Sequence, residues 1–144
     1  TKEALLLKLE ALIREGRGDT FAATAAGAEY TFYQIFDTAA DLGALVEYHW
    51  DGRDDEAPLT LFENDLFVGS RLSLNDAQDA ALVGGAIFDM DTDGASVFVE
   101  FERRFYDAWK FEIEGRFILN GHDDPSFDAF ANDSFLTLRL SRFF

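Results

Sequence analysis

From Trp109 to Leu119 the chain alternates. Trp109, Phe111, Ile113, Gly115, Phe117 and Leu119 hold one parity, and Lys110, Glu112, Glu114, Arg116 and Ile118 hold the other. A helix would scatter these charges around its circumference. A strand sorts them onto one face, because successive side chains point to opposite sides of the backbone. The same period recurs along the chain. Leu136, Leu138, Leu140 and Phe144 oppose Thr137, Arg139 and Ser141 within Phe135–Phe144. Leu66, Val68, Leu72 and Leu74 oppose Asp65, Phe67, Gly69, Arg71 and Ser73. Leu42, Ala44, Val46, Tyr48 and Trp50 oppose Gly43, Leu45, Glu47 and His49. Val97, Val99 and Phe101 oppose Phe98, Glu100, Glu102 and Arg104. Ala22 to Phe36 and Ala80 to Met90 carry weaker versions. Ala4 to Arg14 is built from good helix formers, yet Leu5, Leu7, Leu9, Ala11 and Ile13 share a strand face, and a strand is expected there. The pattern predicts eight strands in all.

Length narrows the class. The patterned segments run to about 10 to 15 residues, whereas soluble strands average about 5 or 6 and a tilted membrane-crossing strand needs about 9 to 11. The connectors add an independent sign. Asn120–Asp133 and Asp51–Phe62 are long and polar, while Phe105–Ala108, Asn75–Asp79 and Asp37–Ala39 read as tight turns. Asp91–Gly94 and Gly16–Asp19 are short. Counted back from the C-terminus, long and tight connectors alternate imperfectly, as in membrane barrels. The expected fold is therefore all-β: one domain over residues 1–144, an up-and-down antiparallel transmembrane β-barrel with eight strands.

Alternation alone does not say which face points inward, and a soluble lipocalin-like ligand carrier has the same period with apolar residues inside. Three features favour an apolar wall facing lipid. First, the polar parity gathers opposite charges: Lys8, Glu10, Arg14, Glu29, Glu47, Asp65, Arg71, Glu100, Glu102, Arg104, Lys110, Glu112, Glu114, Arg116 and Arg139, with Asp41 and Asp89. Interior charges persist when paired and hydrogen-bonded, so this mixture suits a lumen charge network in a side-chain-filled barrel. Second, the exceptions on the apolar parity, Gln34, Arg103 and Arg142, fall at strand ends, where long basic side chains reach water. Third, Phe36, Tyr48, Trp50, Trp109 and Phe144 sit near strand ends, where lipid-interface aromatics are expected.

Composition agrees. There are 16 Phe, two Pro and no Cys, which favours β-structure and excludes disulfides and thiolate metal sites. A net charge of −16 disfavours a nucleic-acid binder. No apolar run is long enough for a transmembrane helix. No secretory leader is recognisable, so the chain is expected to be a mature product or an excised piece.

The segment Asp133–Phe144, DSFLTLRLSRFF, resembles the C-terminal targeting strand of bacterial outer-membrane β-barrel proteins, in which alternating hydrophobic residues end in Phe. On that resemblance Leu136, Leu138, Leu140 and Phe144 form the assembly signal, and Arg142 departs from it, standing where an aromatic or apolar residue is usual. EYTFYQIF and ADLGALVEYHWDGRDDEAPLTLFENDLFVGSRLSLND look like segments of proteobacterial outer-membrane proteins longer than this chain. The resemblance implies a Gram-negative outer-membrane location, periplasmic N- and C-termini, and recognition of the last strand by the barrel assembly machinery. It also implies that the chain is either a barrel of its own or the C-terminal part of a larger one.

Candidate chemistry is sparse. Asp89, Asp91, Asp93, Gly94 and Glu100 match the spacing of an EF-hand loop. Residues from Ala95 onward alternate as a strand, rising about 3.3 Å per residue, so an Asp-Gly hairpin is the preferred reading. His49 stands beside Glu47, and His122 lies near Asp123 and Asp124. No serine nucleophile stands convincingly by either, so no enzyme, catalytic set, cofactor or metal site is expected. The acidic excess falls in loops and turns such as Asp51, Asp54, Asp55 and Glu56, suiting cation-bridged contact with lipopolysaccharide beside the lipid bilayer. The leading expectation is a structural, membrane-anchoring barrel without an open pore. A porin-like diffusion channel follows if the barrel is larger, and a soluble carrier if the faces are reversed.

Overall fold

The computed structural model describes residues 4–15, 19–54, 60, 62–106, 108–123 and 125–144. Eight antiparallel strands form one sheet in chain order. They are β1 (Ala4–Arg14), β2 (Phe21–Phe32), β3 (Asp41–Asp51), β4 (Asn64–Ser73), β5 (Ala81–Asp89), β6 (Ala95–Phe105), β7 (Trp109–Leu119) and β8 (Phe135–Arg142). The up-and-down all-β fold is the expected one, and Ala4–Arg14 is a strand despite its helix-forming composition. Most strands are 9 to 12 residues long and β8 has 8.

Neighbouring strands pair residue for residue, without a bulge, from Ala4↔Thr31 through to Arg116↔Phe135. An antiparallel partner lies on the same face as its mate, so one choice of face in β7 sets the faces of all the others. Among the described residues no ladder joins β1 to β8. Every residue of β1 and all of β8 except Ser141 are exposed.

The turns depart from the sequence expectation in detail. Phe36 is not a strand end. The strand stops at Phe32, and Ile35–Asp37 forms a single 3-10 turn with Gln34, Phe36 and Asp37 at φ of 53°, 55° and 57°. Backbone in this left-handed region cannot continue a strand, so the expected tight turn Asp37–Ala39 is part of a longer connector. Asp41 closes it by accepting hydrogen bonds from the Gln34 N–H at 2.9 Å and from Asn75 Nδ2 at 2.8 Å. The same Asn75 amide donates to the Ala39 carbonyl, so two turns on one edge of the sheet are tied together. At the opposite edge, 120–134 contains a 3-10 turn at Gly121–Asp123 and a one-turn helix, α1 (Pro125–Asp128), where a featureless loop was expected.

The two longest connectors, 52–63 and 120–134, share an edge with 15–20 and 90–94. The start of β1 and the end of β8 lie at the other edge, with 33–40, 74–80 and 106–108.

The register is directly testable, because the chain has no cysteine. Ala44 pairs with Ser70, and such cross-strand positions fall within disulfide reach. The double variant A44C/S70C should crosslink on mild oxidation, whereas A44C/G69C, with side chains on opposite faces, should not. Efficient crosslinking of the second pair would contradict the register.

Candidate functional site

Following the pairing from strand to strand collects the expected charges onto one face. Lys8 and Glu10 share it with Gly27 and Ala25, and Arg14 with Phe21. Gly27 leads to Glu47, Glu47 to Phe67, and His49 to Asp65. Arg71 leads through Val83 to Glu100, and Ala81 to Glu102. Across β6 and β7, Arg104 pairs with Lys110 and Phe98 with Arg116, and Glu112 pairs with Arg139 of β8. Glu29 joins through Leu6 and Leu45, and Glu114 pairs with Thr137. Within the strands, the opposite face carries only two charges, Arg103 and Arg142.

Burial is inverted relative to an apolar-cored protein. Among the described residues the buried apolar positions are Ala40, Ala80, Ala81, Ala95 and Phe127, and the most enclosed large side chain is Asp65 at 1 % exposure. On the apolar face Leu7, Leu9 and Ile13 of β1 are 70–76 % exposed, and Leu138 of β8 is 63 % exposed. In the interior strands Val46, Tyr48, Trp50, Val68 and Phe88 also stand open.

The polar face is organised around a block of four carboxylates on β6 and β7. Glu100 stands opposite Glu114 and Glu102 opposite Glu112, an arrangement that is unfavourable unless neutralised. Lys110 supplies the compensation, its Nζ lying 2.8 Å from Glu102 Oε2 and 3.0 Å from Glu112 Oε1. Arg116 Nε approaches Glu114 Oε1 at 4.0 Å. The small side chains of Ala81 and Val83 leave a recess of about 350 Å³ beside the block, into which Arg71 and Arg139 also face. Further round the face, Lys8 Nζ lies 3.4 Å from Glu29 and His49 Nε2 lies 2.9 Å from Glu47.

Beyond this block the face becomes aromatic. The rings of Phe67 and Phe98 stack with centroids 6.1 Å apart and planes within 3°. Two glycines make room for them. A Cβ on Gly69 would stand 2.7 Å from the Phe67 ring, and one on Gly85 would stand 2.8 and 2.9 Å from the Phe98 and Phe67 rings. The alternation puts Phe67, Gly69 and Phe98 on the polar parity, but it does not show this stack. The only signal is a glycine on that parity in each of two successive strands, Gly69 and Gly85.

At the long-loop edge His49, Asp65 and Asp89 are cross-strand neighbours, and the Phe62 ring packs 5.4 Å from the His49 ring. Asp89 Oδ1 accepts hydrogen bonds from the backbone N–H groups of Asp91 at 2.8 Å and Thr92 at 2.6 Å. This carboxylate shapes the β5–β6 hairpin, while Glu100 stands along β6 opposite Val83 and Glu114. Asp51 grips Arg53 through Nε at 3.0 Å and Nη2 at 2.6 Å, and this hydrogen bonding raises the guanidinium pKa further. His122 Nδ1 lies 3.1 Å from Asp128 Oδ1 at the surface. Asp123, Asp124 and Asp55 through Leu59 lie wholly or by their side chains outside the described residues.

The aromatic positions divide between the two edges. Trp50 and Tyr48 approach the long-loop edge, where Tyr48 Oη donates to Asn64 Oδ1. Trp109, Phe144 and the strongly exposed Phe36 mark the other edge. Arg142 lies over the rings of Trp109 and Phe144, 5.5 and 4.8 Å from their centroids. No protein family, no curated protein and no solved structure matches the chain.

The carboxylate block makes Lys110 the side chain on which the polar face depends. Removing it leaves the opposed Glu102–Glu112 pair poorly neutralised, so Lys110→Met should destabilise the fold by about 1–2 kcal/mol, the lower range for charged hydrogen bonds that are part-exposed. Adding Glu102→Gln should recover part of the loss. The urea midpoint followed by tryptophan fluorescence reads both.

Proposed function

We propose that this chain forms wall of a transmembrane β-barrel in a bacterial outer membrane, with an ion-paired polar face toward the lumen and a structural, membrane-anchoring role. The inverted burial carries the reading: charges gather on the face with the recesses, and exposed Leu, Ile, Val and Phe cover the other. Lipid suits the second face, since each buried CH₂ is worth about 0.8 kcal/mol. A charge at mid-membrane costs about 2–4 kcal/mol, falling to about 0–1 near the interface. Arg103 and Arg142 both lie in the last three residues of their strands. No helix among the described residues is long and apolar enough to cross a membrane, and a barrel needs none.

The resemblance of the last strand to a targeting strand supports the outer membrane as the location and the barrel assembly machinery as a partner, through Leu136, Leu138, Leu140 and Phe144. With the C-terminus periplasmic, both long connectors are external and their acidic residues face the lipopolysaccharide.

One observation favours a second reading. β1 and β8 are exposed along their lengths, with no ladder between them, and unpaired backbone is not tolerated in lipid. Pairing of these strands with further strands gives a wider barrel, whose polar face lines a water-filled passage for passive diffusion. Direct closure gives an eight-stranded barrel filled by its own side chains.

Refolding into lipid vesicles tests the shared claim. The folded chain should migrate differently before and after boiling on a detergent gel. A chain that stays monodisperse without detergent and ignores vesicles would instead be a soluble carrier. Planar bilayers separate the two membrane readings: steady ohmic steps mark the diffusion channel, and their absence the filled barrel.

A further inference from the structure

The apolar face carries only two charged side chains within its strands, Arg103 and Arg142. Both are arginines, in a chain where acidic residues outnumber basic ones by 28 to 12. They straddle β7 at the edge where β8 ends. Trp109 pairs with Phe105 on one side and Arg142 on the other, and Phe111 pairs with Arg103 and Leu140. Arg103 is half-exposed and makes only a loose 3.7 Å contact with Asp76. Arg142 has no carboxylate partner among the described residues, and its guanidinium is stacked instead, 5.5 Å from the Trp109 centroid and 4.8 Å from that of Phe144.

Stacking uses the face of a guanidinium and leaves its N–H donors free in the plane. A planar fork of free donors matches the oxygens of a phosphate group. The neighbouring aromatics, Phe105, Tyr106, Trp109 and Phe144, are of the kind that settles at headgroup depth. Together these features describe an anion site with an apolar floor. Resting on the membrane reading above, the geometry points to a phospholipid site on the outward rim, where Arg142, with Arg103, holds the phosphate of an anionic lipid in the periplasmic leaflet. Arg142 thus contributes lipid contact at a position where the resembling targeting strands carry an aromatic or apolar residue.

The chain has two tryptophans, so Trp50→Phe leaves Trp109 as the sole reporter, beside the site. The test refolds this variant into phosphatidylcholine vesicles containing matched mole fractions of bromine-labelled phosphatidylglycerol or bromine-labelled phosphatidylcholine. Trp109 should be quenched by both, with an apparent preference of roughly fivefold for the anionic lipid, the weight of one basic residue at a membrane surface. Arg142→Gln should bring the ratio close to one, and Arg142→Lys, which keeps the charge without the planar stack, should retain less than half of the preference. Equal quenching by the two lipids, or an unchanged ratio in either variant, overturns the phospholipid site while leaving the membrane reading intact. A preference abolished by millimolar inorganic phosphate assigns a free-anion site and also overturns it. No quenching by either lipid sinks the membrane reading itself.

Discussion

A β-strand sends successive side chains to opposite faces, and a one-residue slip would exchange those faces entirely. Here the ladders pass from Ala4 to Arg142 residue for residue, so the parity set in one strand is inherited by its neighbours. Everything else in the molecule follows from this constraint. A bulge anywhere between β2 and β7 would turn charged side chains toward the apolar face on one side of it. The tight coupling of Asp41, Gln34 and Asn75 at one edge, and the Asp89-centred hairpin at the other, hold the strand ends in the register that the faces require.

The two faces solve different problems. The polar face holds four carboxylates in a block that is unfavourable by itself, and Lys110 bridges two of them within 3.0 Å. Beside it the Phe67–Phe98 stack lies across Gly69 and Gly85, so the polar face is filled by rings where there are no charges to pair. The apolar face has ring contacts between near neighbours, Tyr30 with Phe32 and Phe101 with Phe111. Many of its side chains are exposed because no other element among the described residues covers them, and in the proposed setting lipid takes that place. The energy that an ordinary core would supply then comes from the surroundings, with backbone pairing and the polar network specifying the fold.

Much of this was legible in the residues. The strands β7 and β8 could be placed on their faces because Lys110, Glu112, Glu114, Arg116 and Arg139 alternate with large apolar side chains. β1 could be read through its misleading composition for the same reason. The turns were harder. Nothing in QIFDT announces that Gln34, Phe36 and Asp37 adopt left-handed backbone, so the alternation runs past the true end of β2 at Phe32. The stacked phenylalanines depend on the relative register of β4, β5 and β6, which no single segment carries. The cation–π stack of Arg142 joins β8 to β7 through its partner Trp109, a cross-strand pairing that the β8 segment alone does not carry.

In the proposed setting one face of the sheet meets lipid and the other lines the lumen. Nitroxide labels placed singly along β7 in the cysteine-free chain, after refolding into phosphatidylcholine vesicles, measure it most directly. Accessibility to oxygen should peak at Ile113 and Phe117 and fall at Glu112, Glu114 and Arg116, alternating with a period of two residues. Uniform oxygen access along the strand, or the opposite phase, would contradict a lipid-facing apolar wall.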